Sequence, residues 1–228
     1  MLALFIFTKN YEKNHNDDSY IKNFKTEVID LSVFKVIVAE PETKFNIISG
    51  DSNKLIISDI IKSEKKPLPY VIVNDTLRIS EKFNKNNNNN RTLTIYCSNV
   101  NTIVAGNTSE INIDNFDSDS LIIIADKGYI IFGFDNDGYD NPTLCNIKNF
   151  TFIAKNKSEL TIHEMNIGSA IIKTINSKTE ILSGNKINKL TAVLSDGSRL
   201  TNQDKDCKEM EIDLKSDKSS RIGFFNSY

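Results

Sequence analysis

The sequence predicts an all-β fold, a parallel β-helix or β-solenoid with coils of about 20 residues. Two observations carry that expectation. Short runs rich in Val, Ile, Leu and Phe alternate with clusters of Asn, Asp, Ser, Lys and Gly, and no window sustains a 3.6-residue apolar stripe. From residue 150 onward, apolar residues also recur at a fixed spacing of 20.

The recurrence is read column by column. With Phe150, Ala170, Leu190 and Met210 as first positions, the third positions are Phe152, Ile172, Ala192 and Ile212. The fifth are Ala154, Thr174, Leu194 and Leu214, so eleven of these twelve side chains are apolar. The second positions, Thr151, Ile171, Thr191 and Glu211, are mixed, as an outer face requires. Such alternation describes a strand with one face buried. Seventh positions are Asn156, Asn176, Asp196 and Ser216, all turn formers, and eighteenth positions are Ile167, Ile187 and Cys207, all able to face inward. Leu121, Ile123 and Ala125 join the inward columns one unit earlier once a nine-residue insertion around 134–142 is set aside. The second strand of each unit is less regular: Leu160/Ile162, Ile181 or Leu182, Leu200, then Ile222/Phe224.

One such unit cannot bury its own apolar face and must stack on the next, about 4.8 Å away. At ~1.5–3 kcal/mol per buried aliphatic side chain, three inward residues per coil support the fold. The competing reading is an antiparallel sandwich whose spacing coincides by chance.

Taken in order, the chain opens with Met1-Leu2-Ala3-Leu4-Phe5-Ile6-Phe7. This is either a clipped signal remnant or a first strand, since the basic start and cleavage site of a secretory signal are incomplete. The polar stretch 8–25 has no apolar period and reads as an arm, leaving 26–228 as a single β-solenoid domain. Strand-like runs follow at 33–38, 45–48, 54–57, 70–73, 77–79, 93–96 and 102–104, with a short turn expected near 58–62. The five consecutive asparagines at 86–90, bracketed by Lys85 and Arg91, read as a surface insertion.

Length and composition narrow the function classes. The 228 residues suit one domain with a sizeable core, and 39% apolar with 25% charged residues is a folded composition. Lys+Arg number 28 against 30 Asp+Glu, a net charge of -2, which argues against nucleic-acid or polybasic membrane binding by bulk charge. No apolar run approaches the ~18 residues of a transmembrane helix. Cys97, Cys145 and Cys207 are scattered and odd in number, so buried apolar cysteines are expected rather than a disulfide framework or zinc site.

Groups able to carry chemistry are few. Asp135, Asp137 and Asp140 in Phe134-Asp135-Asn136-Asp137-Gly138-Tyr139-Asp140 have the alternation of a calcium loop, but no bidentate Glu follows, so an acidic turn is expected. His163 follows the inward candidate Ile162 and should point outward, while His15 lies in the polar arm. Asp17-Asp18 and Asp117-Ser118-Asp119 read as solvated loop carboxylates. There is no GxGxxG, Walker loop or basic-aromatic stripe. No catalytic, metal or cofactor site is assigned.

Several segments suggest a family. Asp30-Leu31-Ser32-Val33-Phe34-Lys35-Val36-Ile37-Val38 is similar to its opening strand pair, and Phe45-Asn46-Ile47-Ile48 to the strand that follows. Asn74-Asp75-Thr76-Leu77-Arg78-Ile79 resembles its "dgtL.I" element, and Leu93-Thr94-Ile95-Tyr96 the next strand. Ala105-Gly106-Asn107-Thr108 and Ser195-Asp196-Gly197-Ser198-Arg199-Leu200 look like its repeated "strand, Ser-Gly-x-Ser, strand". Over residues 28–224 the chain thus resembles the autotransporter-adhesin head domain, or GIN domain, of bacterial envelope proteins. It departs where family-like turn glycines become Asn or Lys, as in Lys155-Asn156-Lys157-Ser158.

The resemblance implies a parallel β-helix-like fold and a surface location, and it brings no catalytic residues. The expected function is a non-enzymatic, adhesin-like binding protein of the cell envelope or secreted, with a glycan or protein surface as partner and no cofactor. The alternative is a carbohydrate-active enzyme, a pectinase-like lyase or hydrolase using the 135–140 insertion with exposed aromatics at Tyr129, Phe132, Phe134 and Tyr139.

Overall fold

Period-2 alternation of β-branched residues leaves no continuous stripe for a helix to bury, and the regular structure of the described residues is all β. The computed structural model describes residues 24–60, 69–80, 92–133, 145–182, 184–203, 209–214 and 219–224. The strands before residue 100 are β1 (Phe24–Asp30), β2 (Val36–Ala39), β3 (Lys44–Ser49), β4 (Lys54–Ile60), β5 (Tyr70–Val73), β6 (Thr76–Ile79) and β7 (Thr92–Cys97). Next come β8 (Thr102–Ala105), β9 (Glu110–Asp114), β10 (Asp117–Asp126), β11 (Tyr129–Phe132), β12 (Cys145–Lys155) and β13 (Glu159–Ile162). The last are β14 (Met165–Ile175), β15 (Lys178–Ile181), β16 (Lys186–Ser195), β17 (Arg199–Asn202), β18 (Glu209–Leu214) and β19 (Arg221–Phe224).

They form two mixed sheets. The first runs β1-β4-β7-β3-β9-β11-β13-β15-β17-β19, and the second β18-β16-β14-β12-β10-β8-β2-β6-β5. From β8 to β19 the chain alternates between the sheets, and each strand pairs in parallel with the next strand of its own sheet.

Pairing in the second sheet has a spacing of 20. Phe150 lies beside Ala170, Ala170 beside Leu190, and Leu190 beside Met210. Across the insertion, Leu121, Ile123 and Ala125 stand beside Phe150, Phe152 and Ala154. These inward residues are buried through β16, as are Ile167 and Ile187. In the first sheet Leu160 pairs with Thr179, Thr179 with Leu200, and Leu200 with Ile222, so the spacing there is not constant. The connecting segments differ in length; Ile181 and Leu200 are buried as expected, while Thr179 beside Leu200 and Asn202 beside Ile181 put polar residues into the inward columns.

Local chemistry explains the passages between sheets. Thr43, Ser109, Ser158 and Ser198 are buried where the chain enters a strand of the first sheet. Each hydroxyl donates to the carbonyl oxygen three residues back, at 2.7–2.8 Å. That satisfies groups which the turn would otherwise bury unpaired. Asn156, Asn176 and Asp196 adopt left-handed backbone at φ 58, 49 and 52°, a conformation short polar side chains tolerate. On the return passage Gly133 sits at φ 71°, and a Cβ there would lie 2.2 Å from the His163 carbonyl oxygen. Only glycine fits.

The front of the molecule is threaded out of sequence order. β2 lies between β6 and β8, and β3 lies between β7 and β9. Three antiparallel pairings close this end: β5 with β6, β1 with β4, and β4 with β7. The β5–β6 hairpin turns on Asn74-Asp75, both left-handed at φ 48 and 58°, as a two-residue hairpin of this type requires. The wholly parallel arrangement expected from the repeat is corrected by these pairings.

Two smaller expectations also change. The turn anticipated near 58–62 is strand through Ile60, and the described part of the expected arm, Phe24 and Lys25, lies in β1. Ile29, Leu31 and the β1–β4 ladder explain both, because they extend the core sideways onto antiparallel strands. Residues 1–23, the asparagine tract 86–90 and Cys207 lie outside the described residues.

Candidate binding groove

Four long strands of the second sheet bend at one level. Ladder pairing skips Asp119, Lys148, Gly168 and Asn188, and two consecutive residues turn outward there instead of one. Gly168 allows the close approach at the bend, since a Cβ on it would sit 2.6 Å from the Lys148 carbonyl oxygen. Together with residues 98–101, the bent segments bound a groove of about 890 Å³.

A ladder of polar side chains runs along this groove. Asn146 donates from Nδ2 and from its backbone N–H to Asp117 Oδ1, at 2.8 and 3.1 Å. Asn166 Nδ2 donates in turn to Asn146 Oδ1 at 2.8 Å. Each amide thus spends a donor on its neighbour, and the last acceptor, Asn166 Oδ1, has no partner although it is buried. Lys186, next in the column, and Lys148 add positive charge. Lys148 Nζ lies 2.5 Å from Asp119 Oδ1, and this contact raises the pKa of its ammonium group.

The groove therefore offers amide, carboxylate, hydroxyl and ammonium groups at the strand spacing. It has the means to hold a polar ligand by hydrogen bonds. Among the described residues there is no cluster of three or more His, Cys, Asp or Glu able to hold a metal ion.

The sequence-derived candidates are distributed differently. Asp117 and Asp119, read as loop carboxylates, stand on β10 and line the groove. His163 is partly exposed, with Nε2 3.8 Å from Glu164 Oε1, and lies away from the groove. Phe132, whose exposure would favour the carbohydrate-active alternative, is buried edge-to-face against Phe150 with centroids 5.7 Å apart. Its position on β11 alternates inward, which is the physical reason for its burial. Tyr129 is 42% exposed on the first sheet. Phe134, Tyr139, Asp135, Asp137, Asp140, His15, Asp17 and Asp18 lie outside the described residues.

Cys97 and Cys145 are free and buried, and burial pushes both thiols from 9.0 up to about 12. Inert packing is the consequence.

The outer faces of the two sheets differ sharply. The first carries charge: Lys44 faces Glu110 at 2.5 Å, and Lys178 pairs with Glu180 at 3.0 Å. On the second, two outward columns run from β5 to β16 through every strand, and each position is Val, Ile or Thr except Arg78 and Lys173.

Sequence reasoning missed the groove, although a signal was present. Between inward Ile147 and Phe150 stand two polar residues, Lys148-Asn149, and Gly168-Ser169 and Asn188-Lys189 repeat the interruption. A doubled outward position breaks period 2 and marks a bend.

Solved structures share this fold. A provisionally named adhesin from Bacteroides fragilis matches with a TM-score of 0.55 and 11% identity, covering 89% of this chain and 95% of that one. Provisionally named adhesins from Parabacteroides distasonis and Parabacteroides merdae match with TM-scores of 0.53 and 0.52 at 8% and 10% identity. Each covers 90% of this chain, and 96% and 98% of the other. At such identities the likeness is one of fold. No family model matches the chain, and no curated protein matches it.

Proposed function

We propose that the protein is a non-enzymatic binding module of the adhesin-like kind, working in the cell envelope or outside the cell. The reading extends to a β-solenoid of the autotransporter-adhesin head (GIN) type, a single domain over 26–228. The 20-residue pairing, the passages at Ala105-Gly106-Asn107-Thr108 and Ser195-Asp196-Gly197-Ser198, and the fold likeness to the Bacteroides and Parabacteroides proteins support it. The groove takes a glycan or a polar protein surface as its ligand.

The observation that carries this reading is the Asp117–Asn146–Asn166 ladder with its spare buried acceptor. The amides and carboxylate of this ladder, with the ammonium groups of Lys148 and Lys186, line the groove, where ligand hydroxyls or amides can exchange hydrogen bonds with them. Acid-base chemistry on a sugar needs two carboxyl groups in different protonation states across a bond. In the groove Asp117 is occupied by Asn146, and Asp119 by Lys148.

The test is a glycan-array binding assay beside a reducing-sugar release assay on the same glycans. The expected result is binding without release, lost in Asn146→Ala and Asn166→Ala while the circular dichroism spectrum is unchanged. Release of reducing ends in step with binding would replace this reading with the carbohydrate-active one.

A further inference from the structure

We propose that the outer face of the second sheet is a homodimer interface, with two copies packed face to face. This inference is independent of the groove and does not depend on its ligand.

The face is apolar over an unusual extent. Ile124 and Ile153 are 39% and 41% exposed, and Val71 and Val73 on the closing hairpin about half exposed. Scattered exposed aliphatics are normal on any protein, but a continuous sheet face of them is not. Overall composition does not explain it, because the first sheet's outer face carries ion pairs on the same chain. Ile122 and Ile171 in the neighbouring column are also open to solvent, at 37% and 36%.

Its size fits a partner of the same kind. Eight strands at ~4.8 Å make a strip roughly 34 Å long, and two outward residues per strand make it about 13 Å wide. That is roughly 450 Å² in projection. Over both copies that is about 900 Å², below the ~1,200–2,000 Å² of standard stable interfaces and in the range of weak, reversible association. Val, Ile and Thr side chains are stiff at χ1, so little rotamer freedom is lost on association. Flat β faces pack on one another at ~10 Å.

One column of the face is also complementary to itself. Along the column Val36, Thr102, Ile122, Thr151 and Ile171, threonine and aliphatic residues alternate from strand to strand. A twofold axis parallel to the strands, between β8 and β10, sets each threonine of one copy over an aliphatic residue of the other. Thr102 then meets Ile122 of the partner subunit, and Thr151 meets Val36 of the partner subunit. Such a contact is isologous and closes at two copies. The same axis brings Lys173 to the rim opposite Arg78 of the partner subunit, where Arg78 already pairs with its own Glu40 at 3.0 Å.

Sedimentation equilibrium on the full chain tests the proposal. The wild type should dimerise below ~100 µM, a modest affinity for such an area. Ile124→Lys and Ile153→Lys should each weaken the dimer at least tenfold, with unchanged circular dichroism and melting, because both side chains point outward. Lys173→Glu should tighten it severalfold, by turning a like-charge approach into an opposite one. A wild type that stays monomeric at ~100 µM overturns the proposal, including one that instead floats with phosphatidylglycerol vesicles. Variants with Ile124→Lys or Ile153→Lys that dimerise like wild type overturn it as well.

Discussion

The two sheets share one core, yet they meet the outside in opposite ways. On the first sheet, one outward column is charged at every strand from β3 to β19 but β11: Lys44 beside Glu110, Glu159 beside Lys178, then Arg199 and Arg221. On the second, the outward columns are β-branched and almost free of charge from β5 to β16. Both faces obey the same strand geometry, so the difference lies in residue choice alone. A face that needs only to be strand-like can be built from either set. Consistent retention of Val, Ile and Thr over eight strands, beside a charged face on the same chain, marks a surface meant to be covered.

Six substitutions test how far the inside differs from the two outsides. The largest effect is expected at Leu194 on β16, which is fully buried. Leu194→Asp buries an unpaired charge and should cost roughly 4 kcal/mol or more, abolishing the cooperative melt. Val193→Asp, its outward neighbour, should melt close to wild type. Equal losses in the two variants would erase the distinction between core and face.

Next comes the passage that joins the sheets. Gly133→Ala combines left-handed backbone with a Cβ directed into the His163 carbonyl, and should lower stability by about 3 kcal/mol in urea titration. A variant as stable as wild type would show that the two sheets tolerate a different approach there.

The buried thiols give a pH signature from one strand in each sheet, Cys97 on β7 and Cys145 on β12. Burial raises both to about 12 in the folded protein from 9.0. Above pH ~9 the unfolded chain loses protons that the folded chain keeps, so stability falls as pH rises from about 9 toward 12. At pH ~10.5 the loss is about 2 kcal/mol per thiol. Melting temperatures from pH 8 to 11 should decline less steeply in Cys97→Ala and Cys145→Ala. An unchanged slope would mean that the thiols are not shielded. The smallest effect is on the charged face, where Lys178→Ala removes a surface pair with Glu180 and should change stability by less than ~0.5 kcal/mol.

Legibility in the sequence followed the regularity of the chain. The columns through Phe150, Ala170 and Leu190 could be read because every passage between strands of the second sheet after β12 keeps the same total length. The first sheet was harder, since Thr179 and Asn202 hold inward positions and the partner spacing drifts. The threading at the front was not readable, because strand order in space departs from order in sequence and periodicity reports only the latter. Mixed sheets with antiparallel closure were missed for the same reason: β1, β4 and β5 alternate like any other strand. The groove escaped because Asn, Ser and Lys look alike in a turn and at a bend. Its carboxylates, Asp117 and Asp119, stand in a polar run whose composition is the same for a loop and for the bent start of β10.

The out-of-order front has a consequence for synthesis. A chain leaves the ribosome amino-terminus first, and domains tend to fold as they emerge. Ile37 on β2 must wait for Leu77 on one side and Ile103 on the other. Phe45 on β3 must wait for Ile111. The earliest strands are therefore made long before their neighbours exist and remain without ladder partners during that interval. From β10 onward each new strand meets a finished edge as it appears. Birth order and assembly order diverge in the first half of the molecule and coincide in the second.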